Sequence, residues 1–427
     1  MRLRVAFVGL VALVAFVPGA SASVLVVDGA GGAPYSSIQA AVAAAVDGDV
    51  VLVRSGVYGA VRVEKKGVSI VADAGALVEV AGGIHLVDTL VEHRIVLRGL
   101  VGRGAFQVPG AVPEGLRLTV ARGPVRVEEC VFVGADGISF SVDSPGAAGV
   151  RADVALDLSL ARCDATGGDG GDAFTGGPYS AGGHGIVAAA SKVSLHDCVL
   201  TGGVPPNADD LGDGAPGGHG ALVLEKGSAT LPTTFFAAGT AFVGTNGSVD
   251  QLCFISGDGG DGAHLDGALV VARFLDCDFS PGVQGTCGIF GTDGVDVDAV
   301  NGADGAKLPG ASRTVAASSP VRELATLTLD LDAASADACF LLVSAGALWQ
   351  LELATSGVLL TAPPWIGGLV PLGVAPGSGA FSLGIPVPLL PAGVDHVTVH
   401  LQGVFADPGG GWWVGGPATP LVLDAAF

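Results

Sequence analysis

Charge is scarce in this chain, and what there is leans to one sign. Only 14% of its 427 residues are Asp, Glu, Lys or Arg, and 41 acids against 20 bases give a formal net charge of −21. A chain of this sign repels phosphate polymers, which sets aside nucleic acid and anionic membrane surfaces as partners. It is not a disordered acidic tail either, because 49% of the residues are hydrophobic. The seven cysteines contain no CxxC pair, so a zinc-ribbon or thioredoxin-like reading lacks its ligands. Their odd number leaves at least one thiol unpaired within the chain. Past the amino end, no apolar run approaches the length of a membrane span.

The amino end is the exception. MRLRVAFVGLVALVAFVPGASAS carries Arg2 and Arg4, an apolar run over 5–17, and the small residues Ala20-Ser21-Ala22. This pattern predicts a signal peptide over 1–22 and a protein that is secreted or held at the cell surface. What the chain has in excess is glycine, with 70 residues. That is more than twice ordinary usage, and in an apolar chain it predicts many short strands joined by tight turns.

Four stretches align on their cysteines: VRVEECVFVG (125–134), LSLARCDATG (158–167), VSLHDCVLTG (193–202) and ARFLDCDFSP (272–281). Apolar residues alternate in each, the two-residue period of a strand with one buried face. The alternation slips just before the cysteine, where Glu129, Arg162, Asp197 and Asp276 stand, and this predicts a corner between two strands. FFAAGTAFVGTNG (235–247) is a copy without cysteine. Units of this size that cannot bury their apolar faces alone predict a solenoid, with Cys130, Cys163, Cys198 and Cys277 stacked inside as buried thiols or, alternatively, linked as disulfides. His196, Arg122, Arg126, Glu128 and Glu129 are expected on the outside of the corners. GGHG recurs at 182–185 and 217–220, and His264 is expected at the equivalent place of the next copy.

GGDGGDAFT (167–175) matches a calcium-binding nonapeptide and SGDGGDGAH (256–264) matches it loosely. Asp169, Asp172, Asp258 and Asp261 are therefore candidate calcium ligands. The competing reading is a set of solvated turns in which Asp takes turn positions and Gly supplies positive φ. Asp209, Asp210, Asp213, Asp293, Asp296 and Asp298 extend the acidic character, and stacked returns would gather these carboxylates on one face.

Residues 24–75 read strand, then SIQAAVAAAV with Ser36 or Ser37 as helix cap and a stripe of Ile38, Val42 and Val46, then DGDVVLV and GVY. This segment resembles the opening of right-handed parallel β-helix proteins of the pectin-lyase-like group, pectin methylesterases in particular. The resemblance implies a helix that covers the first coil, and coils continuing to about residue 312. Catalytic motifs do not follow it. HLVDTLVEH (85–93) and Asp209-Asp210 with Gly218-His219-Gly220 only echo those of pectin methylesterases and polygalacturonases, and Arg122 and Arg126 lack the spacing of pectate lyases.

Residues 302–320 read as a linker. Alternating runs at 324–332, 347–354, 379–387 and 396–405 then predict a β-sandwich over 313–427. All four tryptophans lie there. Trp349 is expected in the core. In Trp412-Trp413 adjacent side chains point opposite ways, so one of the pair is a candidate sugar-stacking residue. The chain as a whole reads as all-β: a right-handed parallel β-helix over 23–312 with a capping helix, then a small sandwich. Two functions stay open. One is a non-catalytic exported protein in adhesion, envelope structure or glycan binding, with polysaccharide or envelope components as partners. The other is a lyase or hydrolase acting on acidic or plant/algal-type glycans.

Overall fold

The computed structural model describes residues 22–106, 110, 113–138, 144–171, 180–206, 214–226, 231–248, 256–285, 291–352 and 357–427. Residues 1–21 of the expected signal segment, Asp172, Asp209, Asp210, Asp213, Cys253 and Cys287 lie outside them. Among the described residues no helix is long and apolar enough to cross a membrane.

Three parallel sheets run the length of a right-handed β-helix. The first has ten strands, from Val24–Val27 to Asp304–Leu308; the second has eight, from Val61–Glu64 to Val297–Val300; the third has eight, from Gly56–Tyr58 to Asp278–Ser280. Each of the eight complete coils contributes one strand to each sheet, Val24–Val27 and Asp304–Leu308 extend the first sheet at its two ends, and like stacks on like. In the first sheet Val51, Ile70, Leu97, Val127, Leu160, Leu195, Ala237 and Phe274 fall in one register and form an interior wall. Neighbouring rungs are ~4.8 Å apart, so every methyl group meets another above and below.

The corner between the first and third sheets is built as the slipped alternation predicts. Gly99, Glu129, Arg162, Asp197, Gly239 and Asp276 all adopt left-handed backbone, with φ between 51° and 68°. This turns the chain and sends the next side chain inward. Cys130, Cys163, Cys198, Thr240 and Cys277 occupy that inward place on successive coils. The first three are at most 1% exposed and unpaired, Cys277 is half-buried and unpaired, and each donates Sγ–H to a carbonyl oxygen. Thr240 replaces the thiol without changing the bond, its Oγ1 donating to Ala238 O at 3.1 Å.

At the amino end the helix spans Ile38–Ala44, with Ser37 Oγ accepting the Ala40 N–H. Ile38, Ala41 and Val42 pack onto the first coil. Lys66 Nζ caps the other end, donating to the carbonyls of Val42, Ala43 and Ala45. Val46 does not belong to the buried stripe. The helix has ended before it, Asp49 Oδ2 accepts its N–H, and its side chain is 62% exposed.

The span 302–320 is not a free linker. Asp304–Leu308 completes the first sheet and Thr314–Ala317 opens the carboxyl-terminal module, pairing with Thr326–Asp332. The module consists of small, mainly antiparallel sheets around a core that includes Leu329, Cys339, Leu341, Leu401 and Phe405. It lies along the outer face of the first sheet. Leu421 and Leu423 cover Val50, Leu52 and Val71; Val358 and Leu360 cover Phe236 and Leu275. Trp349 packs at this second junction, half-buried, and not in the module's own core.

This docking overturns the outward reading of several corner residues. Arg126, Glu128 and His196 are at most 2% exposed, because the module covers them; Arg122 and Glu129 stay exposed. Glu128 is clamped by Arg98 at 2.7 Å and Arg162 at 3.2 Å, and Arg126 pairs with Asp157 at 2.6 Å. The same arginines reach across the junction: Arg98 to Ala317 O, Arg126 to Leu348 O, and Arg162 to Val315 O. Such bonds offset the cost of burying these ions, while Glu128 Oε1 and the Nε atoms of Arg98 and Arg126 are buried without a hydrogen-bond partner.

The glycine-rich returns between the third and second sheets are stacked extended segments rather than isolated turns. Their glycines recur every third residue: 134/137, 146/149, 167/170, 182/185, 217/220, 244/247 and 282/285. Bonds run between segments, as in the series Gly183 N–H to Gly168 O, Gly203 to Gly183, Gly218 to Gly203, Thr245 to Gly218 and Gly260 to Thr245. None of these glycines has a left-handed φ. They are needed for proximity: a Cβ on Gly182, Gly203 or Gly218 would run into the carbonyl oxygen of a neighbouring segment. A three-residue period imposed by close backbone approach is the logic of packed polyproline-II chains. The expected role of glycine as supplier of positive φ is corrected accordingly.

Candidate functional site

Among the described residues, the module does not cover the outer face of the second sheet. Its register puts Arg62, His85, Arg117, Arg151, Val187, Leu222, His264 and Asp298 in one outward row. Arg62 and His85 follow returns of two residues, 59–60 and 82–83, whereas farther along the glycine-rich segments stand beside this row and make it one wall of a groove. Two clefts lie along it. One, of about 440 Å³, includes Arg151, His184, Val187 and Leu222; the other, of about 400 Å³, includes His219, Asp258, Asp261, His264, Asp293 and Asp298.

The cationic end is ordered by neighbouring carboxylates. Arg62 meets Glu64 at 3.0 Å, Arg151 meets Asp153 at 2.9 Å, and Arg117 stands 3.7 Å from Glu114. His85 lies between Arg62 and Arg117, bonded to Arg62 at 3.3 Å and to Thr119 Oγ1 at 3.0 Å. Burial, with help from the two guanidinium groups, lowers its pKa to about 4 and keeps it neutral.

At the other end three imidazoles stack. His184 and His219 are 5.0 Å apart at 8°, and His219 and His264 are 5.0 Å apart at 16°. His184 Nδ1 accepts the N–H of His219 at 3.1 Å, and His219 Nδ1 accepts the N–H of Asp261 at 2.8 Å. The histidine of each GGHG thus ties its coil to the next one. The third copy at that place is Asp261; His264 stands three residues further on, beside Leu222 in the register, and reaches the stack from there. The expected equivalence of His264 with the other two is corrected by this register.

Burial lowers the pKa of His184 to about 3 and also lowers that of His219. His219 is therefore neutral, and its 3.4 Å approach to Asp261 Oδ2 is not an ion pair. His264 behaves oppositely. The bond from its Nδ1 to Asp261 Oδ2, at 3.0 Å, raises its pKa against the effect of burial, and Asp298 Oδ2 adds to this at 2.9 Å. Burial pushes Asp261 upward, but its bonds to His264 and to the Val295 N–H outweigh that and lower it.

The calcium candidates fall in different places. Asp169 Oδ1 accepts the Val204 N–H, and Asp258 Oδ1 accepts the N–H and hydroxyl of Thr292. Both aspartates act as rungs between glycine segments. Asp258 and Asp261 share the second cleft, Asp169 is not among its lining residues, and Asp172 is outside the described residues. Among the described residues, the one grouping of three His, Cys, Asp or Glu ligands is His219, Asp261 and His264. In the module, Trp412 is 44% exposed and stacks on Phe340 at 5.8 Å. Trp413 turns inward, over Arg313 at 4.2 Å, with its Nε1–H donated to Asp407 Oδ2.

Arg62, His85, Arg117, Arg151 and Asp298 stand in this row without having stood out as a group in the sequence. A signal was there: VRVE (61–64), IHLV (84–87), LRLT (116–119) and VRAD (150–153) each place a basic residue between two buried apolar ones. No known protein-family model matches the chain, and no curated protein matches it in sequence.

Proposed function

We propose that this is an exported, non-catalytic β-helix protein of the pectin-lyase-like type, which binds an extended polysaccharide along the second sheet as part of adhesion or envelope structure. The observation that carries this reading is the outward row of Arg62, His85, Arg117, Arg151, Val187 and Leu222, one side chain per coil. A repeating surface suits a repeating polymer. Arginine–carboxylate pairs present donors and acceptors to hydroxyls or to uronate carboxylates, and the half-buried Leu222 offers apolar ground to a sugar face. The titratable groups that recur with the coils already serve as rungs, which favours binding over turnover. Trp412, stacked on Phe340, offers a second contact on the module.

Affinity electrophoresis against acidic and neutral polysaccharides, with released reducing and unsaturated ends followed in parallel, tests this. The expected result is retardation by at least one polymer without end release, weakened about tenfold or more in Arg117→Ala/Arg151→Ala, a loss of about 1.4 kcal/mol or more. Retardation that is unchanged in that variant would show that the polymer binds elsewhere than the groove. End release abolished by Asp261→Asn would replace the reading with a polysaccharide-active enzyme.

A further inference from the structure

The stacked imidazoles end in a group of atoms that the glycan reading does not use. Asp261 Oδ2 stands 3.0 Å from His264 Nδ1 and 3.4 Å from His219 Nδ1, and one ligand atom from each of the three residues lies within 4.8 Å of the others. Ligand bonds of about 2.0–2.2 Å place neighbouring donors of one ion roughly 3–3.5 Å apart, which brackets both separations. Asp298 Oδ2, 2.9 Å from His264 Nδ1, supplies a second carboxylate at the mouth, and Asp258 and Asp293 line the same cleft.

We propose that His219, Asp261 and His264 form a binding site for a divalent transition-metal ion of the zinc class, with a fourth position open to water or to Asp298. This is independent of polysaccharide binding. The donor set decides the class. Calcium takes six to eight oxygen ligands, whereas two imidazoles and a carboxylate suit zinc and its neighbours. The carboxylate is already in place. Asp261 Oδ1 is fixed by the Val295 N–H at 2.9 Å and its backbone is bonded to His219, while the two imidazoles, stacked at 5.0 Å, must tilt for their nitrogens to converge on one ion. An oriented carboxylate of this kind supports a ligand set. Loading has three costs: the proton leaves His264 Nδ1, His219 Nδ1 exchanges the Asp261 N–H for the ion, and the stacked rings tilt toward it. These costs make the site a loadable one and not a permanently filled structural one.

The test is equilibrium dialysis of the full chain against Zn²⁺, with Co²⁺ substitution read by visible absorption and by paramagnetic shifts of imidazole protons. The expected result is one ion per chain, Co²⁺-shifted signals from His219 and His264, and affinity at least about tenfold weaker in both His264→Gln and Asp261→Asn. Asp169→Asn, outside the group, should bind as the parent does, and Ca²⁺ should not compete. The proposal is overturned if no ion binds, or if both variants keep the parent affinity. Because either variant could disturb its coil, the parent chain supplies a second, independent measurement: Co²⁺ shifts that leave His219 and His264 untouched also overturn it.

Discussion

His196 has neither ring nitrogen hydrogen-bonded, packs against Phe236 at 5.9 Å and is covered by the carboxyl-terminal module around Gly416. Burial first, and then Arg162 and Arg126, lower its pKa from 6.5 to about 3. An unfolded chain therefore takes up this proton below about pH 6.5, while the folded chain does so only near pH 3, and stability is lost as pH falls through that window. His184 and His400 act in the same sense, with pKa values of about 3. Asp197 opposes them, since burial raises its pKa to about 6 and favours the folded form as pH falls below that value. His85, held down to about 4 by burial, and His219 and His396, also lowered by burial, add to this loss, while His264, raised by its bond to Asp261, sides with Asp197; the lowered histidines outnumber the opposing groups and predict net acid destabilisation. In urea unfolding at pH 7 and pH 5, His196→Leu should lose about 2 kcal/mol less than the parent between the two conditions; an equal loss would contradict the assignment. At this scale the sequence was a partial guide. His196 next to Asp197 on a corner reads as surface, because burial by a module more than a hundred residues later leaves no local mark. Cys163 and Cys198 were legible as buried, because their recurrence with the coil has a packing cause.

At the scale of elements, the strands were read from their two-residue period, and the corner from a single slip in it. The returns were harder. GGHG and GGDGG look like turn chemistry, but the steric demand on each glycine comes from a segment about 15 or 35 residues away, as between Gly218 and Gly203 or Gly183. Composition showed that glycine mattered there, not that it mattered for proximity. Two substitutions separate these causes. Gly218→Ala drives a Cβ into the Gly183 carbonyl and should destabilise by about 1–3 kcal/mol or more. Gly59→Ala, with no atom within 4 Å of the added carbon, should be nearly neutral. Equal thermal midpoints for the two variants would show that the glycine segments are not closely stacked. The outward row was legible only as short basic–apolar strand openings such as VRVE and LRLT. Their alignment on one face needed the register.

At the scale of the molecule, two surfaces of the β-helix have different fates. The first sheet is roofed by the module, with apolar contacts toward both ends and the Arg98–Glu128–Arg162 network between them. Among the described residues the module leaves the outward row of the second sheet uncovered, and the clefts lie along that row. Both depend on coils stacking in one register, since a slip by one residue would turn Arg117 or Arg151 inward and their apolar neighbours out. The cysteine column reports that register over five coils. Cys163 and Cys198 are fully enclosed, and burial raises their pKa values well above the ordinary thiol range; Cys277, nearer the end, is pushed up to about 12. The most direct test is maleimide labelling of the native full chain at pH 8, read peptide by peptide by mass spectrometry. Cys130, Cys163 and Cys198 should stay unlabelled until denaturant is added, with Cys277 slower than a free thiol. Labelling of Cys163 or Cys198 at the free-cysteine rate in the native state, or either one recovered in a disulfide, would contradict the stacked interior.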